Sequence, residues 1–145
     1  MDEFFKNWFN GFNEGLGRMT DDECSRLFFS CAKQCAKDAL KYLYRDLFHE
    51  CNGNLDLFFN RLHEVNGVDG EVIETGKVYD IIFLECACDL HTKANVNYCR
   101  LCECSRQSII CEMRELVPTK EYKVEKVESV LSGDQRCRFR ISEKA

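Results

Sequence analysis

The chain has 145 residues, of which 45% are hydrophobic and 31% charged, and its formal net charge is -5. These values fit one globular domain, which we expect to span residues 1–145. The negative charge argues against the clustered basic face that nucleic acid requires. No run approaches the roughly 18 apolar residues of a membrane-spanning helix, so no membrane contact is expected. The acidic start lacks the basic region of a signal peptide, which predicts a cytoplasmic protein.

Helical patterns dominate the first part of the chain, residues 1–66. Aromatic residues at helical spacing predict an amphipathic first helix that ends at Gly15 and Gly17. Thr20 begins a capping-box pattern, so it should start the second helix. That helical stretch runs for about 30 residues, which predicts a break near Asp38. A third, shorter helix completes this part.

Strand patterns and one helix fill residues 67–145. Two strands are predicted by the segment EVIETGKVYDIIFLECACD, which is rich in β-branched and aromatic residues. Helical spacing returns in CSRQSIICEMREL, and alternation around a Gly-Asp turn predicts a closing hairpin from YKVEKVESVL and RCRFRIS. The predicted order is α-α-α-β-β-α-β-β. We therefore expect an α+β fold with N-terminal helices packed on a four-stranded antiparallel sheet.

The chain contains eleven cysteines, an odd number that leaves at least one unpaired in any disulfide framework. Five of them and one histidine fall between Cys86 and Cys104, at C-x-C and C-x-x-C spacings. Thiolates at such spacings suit the tetrahedral coordination of zinc. If the strand extends through Cys88, then Cys86 and Cys88 point to the same face of it. The expected ligands are Cys86, Cys88, Cys102 and Cys104, with Cys99 and His91 as substitutes.

Two alternatives to zinc stay open for this segment. Ligand spacing does not separate zinc from an iron–sulfur cluster. Cysteine is also among the most buried residue types, so the same thiols could pack in the core without any metal. Upstream, Cys24, Cys31 and Cys35 share one helical face and are predicted to be core residues, unless Cys31 and Cys35 reach across to the same site.

A catalytic alternative rests on Cys104. A thiol near a helix N-terminus is stabilised as the thiolate by the helix dipole, and a neighbouring histidine can act as its base. Cys104 with His91 or His63 would then form a thiol-dependent hydrolase, although no orienting third residue is evident in the sequence.

Three arginines, Arg136, Arg138 and Arg140, alternate along the last predicted strand. They would form either an anion-binding strip or a solvated face. A solvated face is expected, because the adjoining strand carries acidic residues of opposite charge. Those acidic residues are Glu121, Glu125 and Glu128.

The segment VESVLSGDQRCRFRI resembles the closing hairpin of the 4-vinyl-reductase-like domains, which belong with the heme-nitric-oxide-binding and TRAPP-type domains. This resemblance implies an α+β fold that binds a small, often apolar ligand. In aromatic-sensing relatives the cysteine of the Gly-Asp-x-x-Cys motif binds zinc, which implies Cys137 as a further ligand here. A second ligand of those relatives is a cysteine four residues before the glycine, where this chain has Ser129.

The pattern from CACDLH to CECSRQSI is also similar to the L-2-amino-thiazoline-4-carboxylic acid hydrolase-like proteins of anaerobic bacteria. That resemblance implies hydrolysis of a small amide or cyclic carbon–nitrogen bond as the alternative function. The main expectation is a ligand-binding, sensory type of domain with a cysteine-bound metal. A homodimer is the assembly left open, since two-fold dimers are the commonest oligomers.

Overall fold

A computed structural model describes residues 3–86 and 88–145, without the side chain of Cys99. The helices are α1 Glu3–Arg18, α2 Asp21–Ala39, α3 Arg45–Glu50, α4 Leu55–Asn60, α5 Asp89–Thr92 and α6 Cys102–Leu116. The strands are β1 Val68–Glu74, β2 Val78–Phe83, β3 Tyr122–Glu128 and β4 Cys137–Glu143. A π-helical turn spans Leu40–Tyr44, and 3-10 turns span Leu62–Glu64, Cys99–Leu101 and Val130–Ser132.

The four strands form one antiparallel sheet in the order β1-β2-β4-β3. Each hairpin contributes an edge strand and a central strand, and β2 pairs with β4 between them. This confirms the predicted α+β fold and the predicted order of helices and strands. The helical turn α5 is an addition to that order.

Helices cover one face of the sheet and build the main core against it. Alternation along β2 and β4 turns Tyr79, Ile81, Phe139 and Ile141 toward this core, where all four are buried. The opposite face carries the charged residues of the same strands. A smaller apolar cluster joins α1 and α2 to the segment before α6 and contains Leu16, Phe28, Ala94, Val96 and Leu101.

The first helix is longer than its glycines predicted. It continues through Gly15 and Gly17 to Arg18, so the predicted end is wrong. A Cβ atom at position 17 would lie 3.4 Å from the ring of Tyr98, so the glycine permits a close approach. Asn13 accepts hydrogen bonds from the backbone of residue 97 at 3.0 Å and of Tyr98 at 2.8 Å, which ties this end of α1 to that segment.

The predicted start and break of the second helix are both confirmed. Thr20 and Glu23 form the reciprocal capping box, with hydrogen bonds of 3.1 Å and 2.9 Å. The regular helix ends at Ala39, and the π-helical turn that follows carries the chain into α3. Along the described residues, no helix combines the length and the apolar character needed to cross a bilayer.

Strand β2 is shorter than predicted. It ends at Phe83, and the backbone N–H of Leu84 donates to the carbonyl of Gly67 at 3.0 Å as the chain leaves the sheet. Cys86 and Cys88 therefore lie in the connection to α5. The expectation that strand alternation points both thiols to one face is wrong for this reason.

Candidate functional site

An open groove of about 280 Å³ lies where the N-terminal ends of α2 and α6 meet the helix-facing side of β3. Its volume is close to the lower limit of small-molecule sites, which begin at about 300 Å³. Eight residues line it: Asp21, Cys24, Tyr98, Arg100, Cys102, Glu103, Arg106 and Lys126.

Two polar contacts join α2 to α6 beneath the groove. The amide of Gln107 donates to the backbone carbonyl of Ser25 at 2.7 Å. The hydroxyl of Ser25 donates to Glu103 at 3.1 Å. These hydrogen bonds fix α2 relative to α6. The walls of the groove therefore include the N-terminal ends of two helices.

The charged side chains of the groove include two ion pairs. Arg100 pairs with Asp21 at 2.6 Å, and Arg106 pairs with Glu103 at 2.5 Å. Burial alone would raise the pKa of Glu103, but Arg106 and the hydrogen bond from Ser25 hold that pKa below its usual value. Among the residues described, Lys126 forms no ion pair. The lining thus carries three cations and two carboxylates.

Two thiols belong to the groove as well. Cys24 is almost fully buried, and Cys102, the first residue of α6, is 7% exposed. The sulfur of Cys102 lies 3.0 Å from the hydroxyl oxygen of Ser129. Since the backbone N–H of Leu131 already donates to that oxygen at 3.2 Å, the hydroxyl hydrogen of Ser129 is free to donate to the sulfur.

Ser129 is held by the predicted Gly-Asp turn. Gly133 adopts the left-handed φ of 99°, and the Asp134 carboxylate accepts the backbone N–H of Ser129 at 2.8 Å. The backbone N–H of Val130 donates to the sulfur of Cys137 at 3.4 Å. The turn therefore brings the chain's Gly-Asp-x-x-Cys motif to the edge of the groove.

We call Cys86, Cys102 and Cys137 the inner thiol cluster. Burial raises the pKa of Cys86, and the nearby thiols of Cys137, Cys88 and Cys102 raise it further. The three thiols come from the segment after β2, the start of α6 and the start of β4. Residues that are far apart in sequence are thus brought within electrostatic reach of one another.

A second group, the outer thiol cluster, consists of Cys31, Cys35, Cys88 and Cys104. Burial raises the pKa of Cys104 to about 12, and the thiols of Cys35, Cys88 and Cys31 add to the shift. Cys88 and Cys104 also pack on the smaller apolar cluster.

The predicted stripe of core cysteines on α2 is only partly correct. Cys24 is buried, as expected, but Cys31 and Cys35 are exposed. The buried stripe of α2 runs instead through Phe28, Ala32 and Ala36.

The predicted zinc ligands are divided between the two thiol clusters. Cys86, Cys102 and Cys137 lie in the inner cluster and Cys104 lies in the outer one, whereas Cys88 interacts with thiols of both. Within residues 3–86 and 88–145, no three cysteine, histidine, aspartate or glutamate side chains stand at distances that would hold a metal ion. The donor chemistry suits a soft metal, but the side chains as they lie do not form its coordination shell. The substitute ligand Cys99 has its backbone in a 3-10 turn, and its side chain is outside the described part.

The predicted catalytic pair gains no support from its surroundings. A pKa of about 12 keeps Cys104 as a neutral thiol near pH 7, and Cys104 does not line the groove. The Nδ1 atom of His91 lies 3.0 Å from the carbonyl oxygen of Val96, which gives this histidine a structural partner. The thiol of the groove that lies at a helix start is Cys102.

Sequence reasoning missed the charged residues of the groove. These residues come from the start of α2, the surroundings of the start of α6, and β3, and each resembles an ordinary surface charge in the sequence: Asp21, Arg100, Arg106 and Lys126. The one local signal is that Arg100 and Arg106 flank the CEC motif, which itself begins α6.

No protein-family model matches the sequence, and no curated protein matches it significantly. Comparison with solved structures shows that the domain shares the fold of a trafficking protein particle complex subunit. The match is to subunit 3 of that complex from Naegleria fowleri, in a crystal structure where it is covalently bound to palmitic acid. The TM-score is 0.58 at 12% sequence identity, over 99% of this chain and 95% of the other. The resemblance to TRAPP-type domains thus holds at the level of the fold, while membership of the 4-vinyl-reductase-like family stays a prediction.

Proposed function

We propose that the protein is a small-molecule-binding domain whose ligand occupies the groove between α2, α6 and β3. The observation that carries this proposal is the convergence of three cations and two thiols on one open cavity of about 280 Å³. The shared fold supports it, because the structurally similar subunit holds a small organic molecule, palmitic acid.

The groove is a better site than the core between helices and sheet. The gap in that core measures about 10 Å³, which is at the limit for a single water molecule. Its walls include Tyr44, Phe58, Ile141 and the carboxyl group of Glu112. An apolar ligand entering there would have to displace packed side chains, whereas the groove is open as it stands.

A bulky side chain placed in the groove should weaken ligand binding strongly. Lys126 is an exposed residue on the rim, and Lys126→Trp places an indole ring over the cavity. Lys123→Trp is the matched control, because this lysine is on the same strand but alternates to the other face of the sheet. We expect calorimetric titration with phenol, 1-hexanol and hexanoate to detect binding to the wild type and to Lys123→Trp, with at least a tenfold loss in Lys126→Trp. Binding that survives in Lys126→Trp, or no binding of any of the three compounds, would contradict the proposal.

We further propose that the inner thiol cluster binds zinc beside this groove, with Cys88 or Cys104 completing the ligand set. The convergence of Cys86, Cys102 and Cys137 from three separate segments supports this proposal. Ser129 occupies the place of the second cysteine ligand implied by the family resemblance, so thiols of the outer cluster would have to turn inward.

Metal content measured after purification without oxygen tests the zinc proposal. We expect about one zinc per chain in the wild type and its loss in Cys86→Ser and Cys137→Ser, since a structural zinc site needs four ligands. Cys111→Ser is the control, because Cys111 belongs to neither thiol cluster. Iron with sulfide in place of zinc would assign a cluster, and a protein free of metal with all its thiols titratable would overturn the proposal.

A further inference from the structure

We infer that the ligand of the groove is a small organic anion whose carboxylate or phosphate group binds Arg100 and Lys126 in place of Asp21. This inference rests on the proposed function and adds the chemical class of the ligand. The observations that carry it are the charges of the lining, the unequal exposure of the two ion pairs, and the position of Lys126.

The groove is cationic although the chain is acidic. Its lining carries three positive and two negative side chains, while the whole chain has a net charge of -5. Lys126 lies on the helix-facing side of β3, since alternation from the buried residues Tyr122 and Val124 turns it that way. Its neighbours on this side, Tyr122, Val124 and Phe139, are apolar and buried. A lysine without an ion pair among the described residues is therefore an available positive charge beside an open cavity.

The two arginines differ in how firmly their carboxylates are held. Glu103 is 20% exposed and receives hydrogen bonds from Arg106 and Ser25, so it is part of the fixed wall. Asp21 has a side chain that is 99% exposed, and its contact with Arg100 at 2.6 Å is an ion pair in contact with water. An exposed pair of this kind contributes little to stability, so an incoming anion can replace Asp21 at small cost.

Arg100 is placed for such an exchange. Its side chain lines the groove together with Tyr98 and Cys24, and it is 28% exposed. The guanidinium group therefore belongs to the wall of the cavity while it is paired with an exposed carboxylate. Planar guanidinium donors match the two oxygens of a carboxylate or phosphate.

The rest of the ligand would lie against a less polar floor. The ring of Tyr98 and the thiols of Cys24 and Cys102 form that part of the lining. The geometry therefore suits a molecule with one anionic group and a short apolar body. This accommodates the small, apolar ligand implied by the sequence, provided that it carries an anionic end.

Hexanoate and 1-hexanol separate charge recognition from groove binding, because they differ mainly in the anionic group. We expect the wild type to bind hexanoate at least tenfold more tightly than 1-hexanol, with the difference shrinking as salt is added. Hexyl phosphate tests whether the anionic group is a phosphate instead of a carboxylate. Tight binding of either anion supports the inference. Equal binding of hexanoate, hexyl phosphate and 1-hexanol in the groove would overturn the inference and leave the proposed function standing. Failure of all three to bind would overturn both.

Two matched pairs of variants identify the charges involved. Lys126→Gln should weaken hexanoate binding about tenfold, while Lys123→Gln should leave it unchanged. Asp21→Asn should tighten hexanoate binding several-fold without affecting 1-hexanol, because the competing carboxylate is removed. Asp22→Asn, which changes the next residue and its pair with Arg26 outside the groove, should have no effect. Weaker hexanoate binding in Asp21→Asn would contradict the inference that the ligand replaces Asp21 at Arg100.

Discussion

Glu112→Gln should make the protein more stable above about pH 8 and leave its stability near pH 5 almost unchanged. Glu112 lies in the core between the helices and the sheet and is 8% exposed. Burial raises its pKa to about 8, and the hydrogen bond from the Ser108 hydroxyl at 3.4 Å offsets only part of that shift. The folded state therefore keeps a proton on Glu112 over a pH range in which the unfolded chain has lost it.

The sign of the pH dependence follows from that difference. The pKa of the folded state is above that of the unfolded state, so the stabilisation is complete below the unfolded pKa. It is lost as the pH rises through the folded value of about 8. The total loss is on the order of 5 kcal/mol, because the pKa rises from its usual 4.5 to about 8 and each unit of pKa corresponds to about 1.4 kcal/mol.

Urea unfolding of the wild type and Glu112→Gln across this pH range measures the effect. Glu115→Gln is the control, since it removes an exposed carboxyl group from the same helix. We expect the free energies of unfolding of the wild type and Glu112→Gln to separate progressively as the pH rises, and those of the wild type and Glu115→Gln to stay together. Parallel pH profiles for all three proteins would show that Glu112 titrates normally.

Asp80→Ala should destabilise the protein by about 3 kcal/mol or more, because it leaves two guanidinium groups without their shared carboxylate. Asp80 lies on the face of the sheet opposite the main helical layer, yet its side chain is fully buried. Arg138 donates to it at 2.5 Å, and Arg140 donates at 2.9 Å and 3.0 Å. Burial alone would raise the pKa of Asp80, but these two arginines hold that pKa below its usual value.

Thermal and urea unfolding distinguish this buried network from ordinary surface charge. Glu125→Ala is the control, since Glu125 is exposed and pairs with Lys123 alone among the described residues; a loss of about 0.5 kcal/mol or less is expected. Replacing Asp80, Arg138 and Arg140 together by apolar residues of similar volume should recover most of the stability lost in Asp80→Ala. A loss in Asp80→Ala no greater than that in Glu125→Ala would refute the account.

The fold was largely predictable because its signals are local. The capping box at Thr20, the Gly-Asp turn at Gly133 and the alternation of the four strands each depend on a few neighbouring residues. The environment of Asp80 was not predicted. The acidic residues of the adjoining strand indicated a solvated face for the arginines of β4. Glu128 does accept from Arg136 at 3.3 Å, but the main partner of Arg138 and Arg140 belongs to β2, and only the pairing of β2 with β4 brings it there.

The candidate site was predictable in its cysteines and not in its charges. C-x-C and C-x-x-C spacing drew attention to residues 86–104, and that segment does contribute to the groove and to both thiol clusters. The division of those thiols between two clusters depends on how α2 packs against α6, which no spacing encodes. Alternation separates Lys126 from Lys123 by face, but the sequence does not show that the face of Lys126 meets the start of α6.

A hexanoate titration of the ¹⁵N-labelled protein, followed by its amide spectrum, tests the central claim most directly. We predict that the shifted amides cluster around the groove, in residues 21–25, 98–106 and 124–128. The amides of the outer sheet face and of α4 should stay in place. Shifts centred on the core around Glu112, or spread evenly over the surface, would contradict a ligand site in the groove.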